Sequence, residues 1–360
     1  MFCKFNSQLK RNQVTRKILM IRECLKLQNT ILKNKIVASN ATCIQSYLHL
    51  TYTLTLASYD SKYNNGVPLM KDCLTLVNGH LTEQQKNAYW NDGYLFPIDV
   101  ANETQVKNWR NSLEKIECDW LDNGLALPLN TYKRVNAQVV MPLACEIGLH
   151  EPILDAVEGI LGPDVMLYSV EFLTKEAHTK HIVTMHQDLA YWGMGDMDNI
   201  LTAWLALSPA TSVSGCMDFV CGSHKNEILS HEDSFDEHNL LSRGQEIKVD
   251  VANSDKVAVE LRPGAMSLHH GLTIHGSGPN QSDDRRIGVA IRYVSAKMRK
   301  AGGAKDYAIS ARGTFNDESF TTYEPPSALF NKNSMEKYEE IRTEQAKVMM
   351  AGAKKGSKIY

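Results

Sequence analysis

The chain has 360 residues, a formal net charge of −2 at pH 7 and a sequence pI of about 6.6. That length can bury a sizeable core, and the balanced charge does not favour nucleic acid or an anionic membrane as the main partner, so we expect a small-molecule substrate. The eight cysteines form no C-x-x-C pair and no dense framework. This spacing excludes a disulfide scaffold and favours a reducing compartment, for which we take the cytoplasm.

The first 75 residues differ in composition from the rest. The first 40 contain nine Lys or Arg and a single acid, Glu23, with apolar residues at roughly helical spacing. Such a segment fits either an organelle transit peptide or an extension outside the fold. We therefore expect a basic extension over 1–75, a catalytic domain over 76–300 and a C-terminal helical extension over 301–360. No membrane span is predicted, because the apolar stretch over 43–56 is too short.

The segments from residue 81 onward predict a mainly β fold with flanking helices. Thr82 is a candidate N-cap with Gln85 three residues later, and two further helices are expected over 106–120 and 151–160. Many short strands between Gly and Pro turns then indicate a sandwich or barrel. The strands are predicted over 165–173, 183–189, 201–207, 216–220, 257–261, 266–270 and 287–294.

The run T-M-H-Q-D-L at 184–189 places two metal-binding side chains, His186 and Asp188, two residues apart. On a β-strand that spacing puts both on one face. His275, 87 residues after Asp188, is the best candidate for a third ligand, and His270 in the pair His269-His270 is its rival. Two histidines and one carboxylate occupy one face of an octahedral metal, suit Fe(II), and leave positions open for a cosubstrate and oxygen.

Substrate-side residues are expected in two places. Tyr191 and Trp192 follow Asp188 closely, and each is a candidate for either the substrate or the core. The segment over 221–256 has little periodicity and is too long for a plain connection, which is typical of a lid or binding element. It contributes His231, His238 and Arg243 as candidates, while a solvated charge run is the alternative for 231–238.

The strand that begins at Arg286 has two contrasting faces. One carries Ile287, Val289, Ile291 and Tyr293, and the other carries Arg286, Gly288, Ala290 and Arg292. We expect the small residues to leave room for a small molecule beside the metal. A guanidinium binds a carboxylate with two parallel hydrogen bonds. Because strand alternation places Arg286, and not Arg285, on the face with the small residues, we assign this role to Arg286.

The tail after residue 301 is polar and is broken by Pro325 and Pro326. Asn333 is predicted to cap a charged helix that continues to Met350, with Glu336 at its third position. We expect this helix to pack on the outside of the domain or to join a second subunit in a homodimer.

Four motifs together resemble the phytanoyl-CoA dioxygenase family of Fe(II)- and 2-oxoglutarate-dependent oxygenases, over roughly 81–294. They are M-H-Q-D-L, A-W-L-A-L at 203–207, I-H-G-S-G-P-N from Ile274, and D-D-R-R-I-G-V-A-I-R-Y from Asp283. The resemblance implies a double-stranded β-helix, a cupin-like jelly roll with iron at its mouth. One departure is Cys221, which stands where the family usually has a proline before G-S-H.

The same resemblance assigns roles to individual residues. It implies that His186, Asp188 and His275 bind iron, since the family's spacing to Arg286 matches His275 better than His270. It further implies that Arg286 and Ser277 hold the distal carboxylate of 2-oxoglutarate. Trp204 would line that pocket.

The implied activity is hydroxylation of a small organic molecule by Fe(II), 2-oxoglutarate and O2, with succinate and CO2 as co-products and ascorbate as a reductant in vitro. One alternative uses the same cofactors for desaturation, epoxidation or ring closure in a biosynthetic pathway. Another is a metal-binding jelly roll without redox turnover, such as an isomerase or a ligand sensor. Arg286 and Ser277 argue against the last, because neither protein needs a clamp for a dicarboxylate.

Overall fold

The computed structural model describes residues 74, 76, 79–121, 124–191, 197–229, 231–233, 238–240, 245–247, 255–299, 305–315 and 319–350. All belong to the second of two structural units, which begins at Met70. The basic extension predicted over 1–75, apart from Leu74, and the candidates Trp192 and Arg243 lie outside these residues. No helix in the described part of the chain is both long and apolar enough to cross a membrane.

The helices lie before the main strands and at the C-terminal end. They are α1 (Glu83–Asp92), α2 (Glu103–Trp120), α3 (Leu129–Arg134), α4 (Ala137–Val140), α5 (Pro142–Gly148), α6 (Glu151–Leu161) and α7 (Lys332–Met350). The three predicted before the strands are present, and the backbone N–H of Gln85 donates to Thr82 Oγ1 at 3.2 Å in the expected capping box. The prediction for α7 was wrong in one detail, because Asn331 rather than Asn333 accepts from the backbone N–H of Ser334 at 3.0 Å.

The strands form two main sheets and a separate pair. They are β1 (Tyr94–Asp99), β2 (Val165–Lys175), β3 (Val183–His186), β4 (Ile200–Ala206), β5 (Met217–Val220), β6 (His231–Asp233), β7 (Gln245–Ile247), β8 (Lys256–Val259), β9 (Ala265–His270), β10 (His275–Ser277), β11 (Arg286–Ser295), β12 (Asp306–Arg312) and β13 (Phe320–Thr322). A seven-stranded sheet has the order β1-β9-β4-β11-β2-β12-β13, and a four-stranded sheet has the order β3-β10-β5-β8. β6 pairs with β7.

The two faces of the large sheet have different neighbours. The bulky side chains of β11, such as Ile291, share one apolar cluster with Leu113 of α2 and Ile153 of α6, so helices cover that face. On the other face, Trp204 of β4 clusters with Phe219 of the small sheet. The order of layers is therefore helices, large sheet and small sheet, and the predicted jelly roll with flanking helices is confirmed.

Three segments differ from the sequence prediction. The strand predicted over 183–189 ends at His186, and a 3-10 helix runs over Asp188–Tyr191. The segment over 221–256 contains a 3-10 helix at Ser223–Lys225 and the β6–β7 pair. β12 pairs with β2, so the large sheet continues past residue 300, where the domain was predicted to end.

Candidate metal centre

Three predicted ligands meet at one edge of the small sheet. His186 ends β3 and His275 begins β10, and the two residues are partners in the antiparallel register of these strands. Asp188 opens the 3-10 helix that follows β3. One ligand atom of each of the three residues lies within 4.8 Å of the others, and all three side chains are buried. The arrangement therefore depends on the turn after β3, and not on strand alternation as predicted.

Both imidazoles are oriented by their own backbone. His186 Nδ1 lies 2.9 Å from the carbonyl oxygen of Thr184, and His275 Nδ1 lies 2.9 Å from the carbonyl oxygen of Thr273. Since a carbonyl only accepts, each Nδ1 must carry the proton. Each Nε2 then carries the lone pair toward Asp188, at 3.5 Å and 4.0 Å from Oδ1. This is the tautomer that a metal-binding histidine requires.

The carboxylate of Asp188 is held in its charged form. Burial alone would raise its pKa, but Arg292, whose Nη2 lies 3.7 Å from Oδ1, and the neighbouring imidazoles more than offset burial, so the pKa of Asp188 is well below its usual range. Thr202 donates a hydrogen bond to Oδ2 at 2.9 Å. Burial and the neighbouring His186 hold the pKa of His275 well below 6.5. Asp188 is therefore ionised and His275 neutral, which are the protonation states that a divalent metal needs.

His270, the rival third ligand, has other partners. Its Nε2 lies 3.1 Å from Asp198 Oδ1, and its Nδ1 accepts from the backbone N–H of Leu272 at 3.1 Å. With both ring nitrogens engaged, it is not part of the donor set around Asp188. Two imidazoles and one carboxylate fit Fe(II) with open positions better than a closed tetrahedral zinc site.

Two buried cations lie side by side next to this centre. Arg286 of β11 and Lys175 of β2 are register partners, and their exposed fractions are 2% and 0%. Lys175 Nζ donates to Ser277 Oγ at 2.6 Å and to the carbonyl oxygen of Gly278 at 2.5 Å, while Arg286 Nη1 donates to the carbonyl oxygen of Gly215 at 3.2 Å. Neither cation forms an ion pair with a carboxylate of the described residues.

This isolation changes both pKa values. Burial, with the positive charge of Arg286 as the next cause, lowers the pKa of Lys175 to about 6. Burial lowers the pKa of Arg286 to about 10. The free site therefore holds one guanidinium beside a largely neutral amine that can take up a proton, and it favours an anion because neither group has a carboxylate in an ion pair among the described residues. Lys175 was not predicted from the sequence, because its position beside Arg286 depends on the pairing of β2 with β11.

Trp204 occupies the space that the small residues of β11 were expected to leave for a ligand. Its indole ring lies over Gly288, where an added Cβ would be 1.9 Å from Cζ2. The guanidinium carbon of Arg286 lies 5.2 Å from the centre of the same ring. Trp204 thus forms one wall of the cationic pocket, and the expectation of free space at Gly288 was wrong.

The remaining predicted residues lie away from this centre or are described only in part. Arg285 points outward and donates at 2.6 Å to both Glu117 and Glu176, as the predicted strand alternation requires. Tyr191 and His231 are described by their backbone alone. The ring of His238 lies beside that of His181, with 6.4 Å between centroids, and it is not part of the donor set.

The jelly roll and the donor set of two histidines and one aspartate are typical of non-heme oxygenases. Comparison with known proteins identifies the family. The family model described as phytanoyl-CoA dioxygenase (PhyH) matches residues 89–288. The chain therefore belongs to the phytanoyl-CoA dioxygenase family and is a 2-oxoglutarate-dependent dioxygenase, for which the family implies iron.

Individual relatives agree with this assignment. A probable phytanoyl-CoA dioxygenase of Caenorhabditis elegans is 27% identical over 236 residues, which cover 60% of this chain and 76% of the relative. The human peroxisomal phytanoyl-CoA dioxygenase is 25% identical over 240 residues, 62% of this chain and 71% of the relative. The apo structure of the non-heme monooxygenase ThoJ is 27% identical with a TM-score of 0.66, over 74% of this chain and 97% of that one.

Proposed function

We propose that this oxygenase hydroxylates a carbon atom of a small organic molecule, with His186, Asp188 and His275 as the iron ligands and Arg286, Lys175 and Ser277 as the clamp for 2-oxoglutarate. The observation that carries the proposal is the cationic pocket beside the three-residue donor set. A metal-binding sensor or isomerase would have no reason to bury a guanidinium without an ion-pair partner beside a second basic group there. Burying a charge without a partner costs several kcal/mol or forces the group to become neutral.

The spacing on β10 supports the role of the clamp. His275 and Ser277 are two residues apart on the same strand face, which places them about 7 Å apart along the strand. A five-carbon dicarboxylate can therefore reach from the metal to Ser277 and the two cations. Arg286 supplies a planar pair of donors and Lys175 a point charge, and Trp204 closes one side.

With iron and 2-oxoglutarate bound, the site would couple oxidative decarboxylation of 2-oxoglutarate to oxidation of the substrate. The chain's own residues orient the metal ligands and keep water away from them. The backbone carbonyls of Thr184 and Thr273 fix the two imidazoles, and Thr202 and Arg292 fix the carboxylate. Phe219, fully buried beside His275 with 6.0 Å between ring centroids, helps to keep water from the donors.

The test uses the purified full-length chain with Fe(II), 2-oxoglutarate, O2 and ascorbate. We expect succinate to form slowly alone and faster when a cell extract supplies the substrate, with Asp188→Ala as the inactive control. Mass spectrometry of the consumed metabolite then identifies the outcome. A product that gains one oxygen atom as a hydroxyl group, distinguished from an epoxide by NMR, supports hydroxylation. A product that loses two hydrogens indicates desaturation or ring closure instead, and folded protein that never forms succinate contradicts the proposal.

A further inference from the structure

His269 is a buried histidine that is not one of the proposed metal ligands. It lies in β9 with 1% of its surface exposed, and neither ring nitrogen has a hydrogen-bond partner. Its neighbour His270 faces the opposite side of the strand and has both nitrogens engaged, by Asp198 and by the backbone of Leu272. The two histidines of this pair therefore have different environments.

The ring of His269 lies against the metal centre. Its centroid is 4.7 Å from that of His275 and 5.0 Å from that of Phe219. Its Nε2 lies 3.7 Å from Asp188 Oδ2, the oxygen that already accepts from Thr202. That distance is too long for a hydrogen bond. His269 is also not a member of the set of donors that lie within 4.8 Å of one another.

The strand holds His269 in this position. It pairs with Thr202 of β4 on one side and with Tyr94 of β1 on the other, so the ring cannot turn toward solvent without breaking the sheet. A buried polar atom without a partner costs roughly 1 to 3 kcal/mol, and buried polar groups in folded proteins usually have a partner. Phenylalanine would fill the same space at no such cost. The Asp188 carboxylate attracts this imidazole across 3.7 Å, but no group of the described residues completes a hydrogen bond at Nε2, and an oxygen of a molecule bound at the centre can do so.

We propose that His269 Nε2 forms a hydrogen bond with an oxygen-donor ligand of the metal, either a carboxylate oxygen at the keto-acid end of 2-oxoglutarate or a water molecule. This inference rests on the proposed function, because it assumes that the metal and the cosubstrate bind at this centre. His269 is then a positioning residue that selects one orientation of the ligand. It is not a fourth protein ligand.

The test compares His269→Phe, which keeps the shape and removes the nitrogens, with His269→Gln, which retains a donor, and with His270→Phe as the matched control. Anaerobic Fe(II) protein is titrated with 2-oxoglutarate, and the visible charge-transfer band of the complex reports binding. We expect His269→Phe to retain full iron content, to bind 2-oxoglutarate about tenfold more weakly and to shift the band, because one hydrogen bond to a charged group is lost. His269→Gln should restore part of the affinity.

A second measurement distinguishes the two oxygen sources. If the visible spectrum of the Co(II) protein changes in His269→Phe without 2-oxoglutarate, the partner is water, and if it changes only with 2-oxoglutarate, the partner is the cosubstrate. The metal-free His269→Phe protein should melt at an unchanged or higher temperature, since two unpaired polar atoms are removed. A lower melting temperature would indicate a purely structural role.

Two results would overturn the inference. Loss of iron in His269→Phe would make His269 a metal ligand, and unchanged affinity and spectra would show that it contacts no ligand. A wild-type protein that forms no band with iron and 2-oxoglutarate would instead contradict the proposed function itself.

Discussion

His275→Ala should abolish iron binding, whereas His270→Ala should leave most of it. The reason is the difference in partners, since His275 directs Nε2 toward Asp188 and both nitrogens of His270 are engaged elsewhere. Metal content after gel filtration of Fe(II)-loaded protein checks this prediction. Thermal unfolding of both metal-free variants serves as the control, and equal loss of iron from two folded variants would contradict the assignment.

Arg286→Ala should weaken the binding of 2-oxoglutarate by roughly a hundredfold to a few thousandfold, because removing one partner of a buried charge pair typically costs about 3 to 5 kcal/mol. Arg286→Lys should rescue only part of this loss, since an ammonium lacks the planar pair of donors. The measurement is the apparent affinity for 2-oxoglutarate in the succinate assay. Unchanged affinity in Arg286→Ala would remove this residue from the clamp.

Lys175 should make the binding of 2-oxoglutarate depend on pH. Its pKa is lowered to about 6 by burial and Arg286, against smaller opposing effects of Cys216 and Asp218, so the side chain is mostly a neutral amine at pH 8 in the free protein. A bound dicarboxylate favours the charged form, and binding then takes up a proton. Affinity should therefore fall as pH rises above 6, by at most about tenfold per pH unit.

Calorimetric titrations at several pH values, in two buffers of different ionisation enthalpy, measure this proton uptake. Lys175→Met should bind 2-oxoglutarate more weakly and lose the pH dependence, whereas other titrating groups would leave the slope in place. An identical slope in Lys175→Met would show that Lys175 does not supply the proton site.

Among the elements, the contact between β4 and β11 shapes the cosubstrate pocket. Gly288→Ala would place a Cβ 1.9 Å from Trp204 Cζ2, so the indole ring would have to move, which disturbs its contact with Arg286. We expect weaker binding of 2-oxoglutarate, unchanged iron content and a loss of about 1 to 3 kcal/mol in stability from overpacking. Adding Trp204→Phe should restore stability by making space, and additive losses in the double variant would contradict a direct contact.

The face of a strand on which each residue lies was predictable, because it depends on periodicity alone. The contacts between strands were not predictable, because they depend on strand pairing. The alternation along β11 correctly separated Arg286 from Arg285. The proximity of Lys175 to Arg286 and of His269 to Asp188 arises from the pairing of strands distant in sequence. No local pattern encodes that pairing, since either face of a strand can be buried. Helices α3 to α5 have at most seven residues, too few for a helical period to be visible.

In the molecule as a whole, the order of the layers determines where the candidate site can lie. Helices cover one face of the large sheet with a continuous apolar cluster, so the cations and donors of the site all lie between the two sheets. Apolar residues such as Phe219 and Trp204 surround them there. The helical cover and the jelly-roll class of fold were predictable, whereas the extension of the sheet by β12 was not, because its seven residues are only partly apolar.

A chain that begins at Met70 should keep iron binding and turnover of 2-oxoglutarate, because every proposed ligand lies after residue 174 and the described structural unit begins at Met70. A contact of the described residues lies close to this boundary. Leu74 forms an isolated bridge with Ile98, its backbone N–H donates to the carbonyl oxygen of Pro97 at 2.7 Å, and its side chain packs on the main apolar cluster.

A shorter chain that begins at Gly79 is therefore the matched control. It loses the apolar contacts of Leu74 and Leu76, which together should contribute about 1 to 3 kcal/mol, and its melting temperature should fall by several degrees while the iron content stays full. Calorimetry and metal analysis of the two truncated chains against the full-length protein make the comparison. If the chain from Met70 is folded but no longer forms succinate, residues before 70 contribute to the catalytic site, and the catalytic domain begins earlier than residue 76.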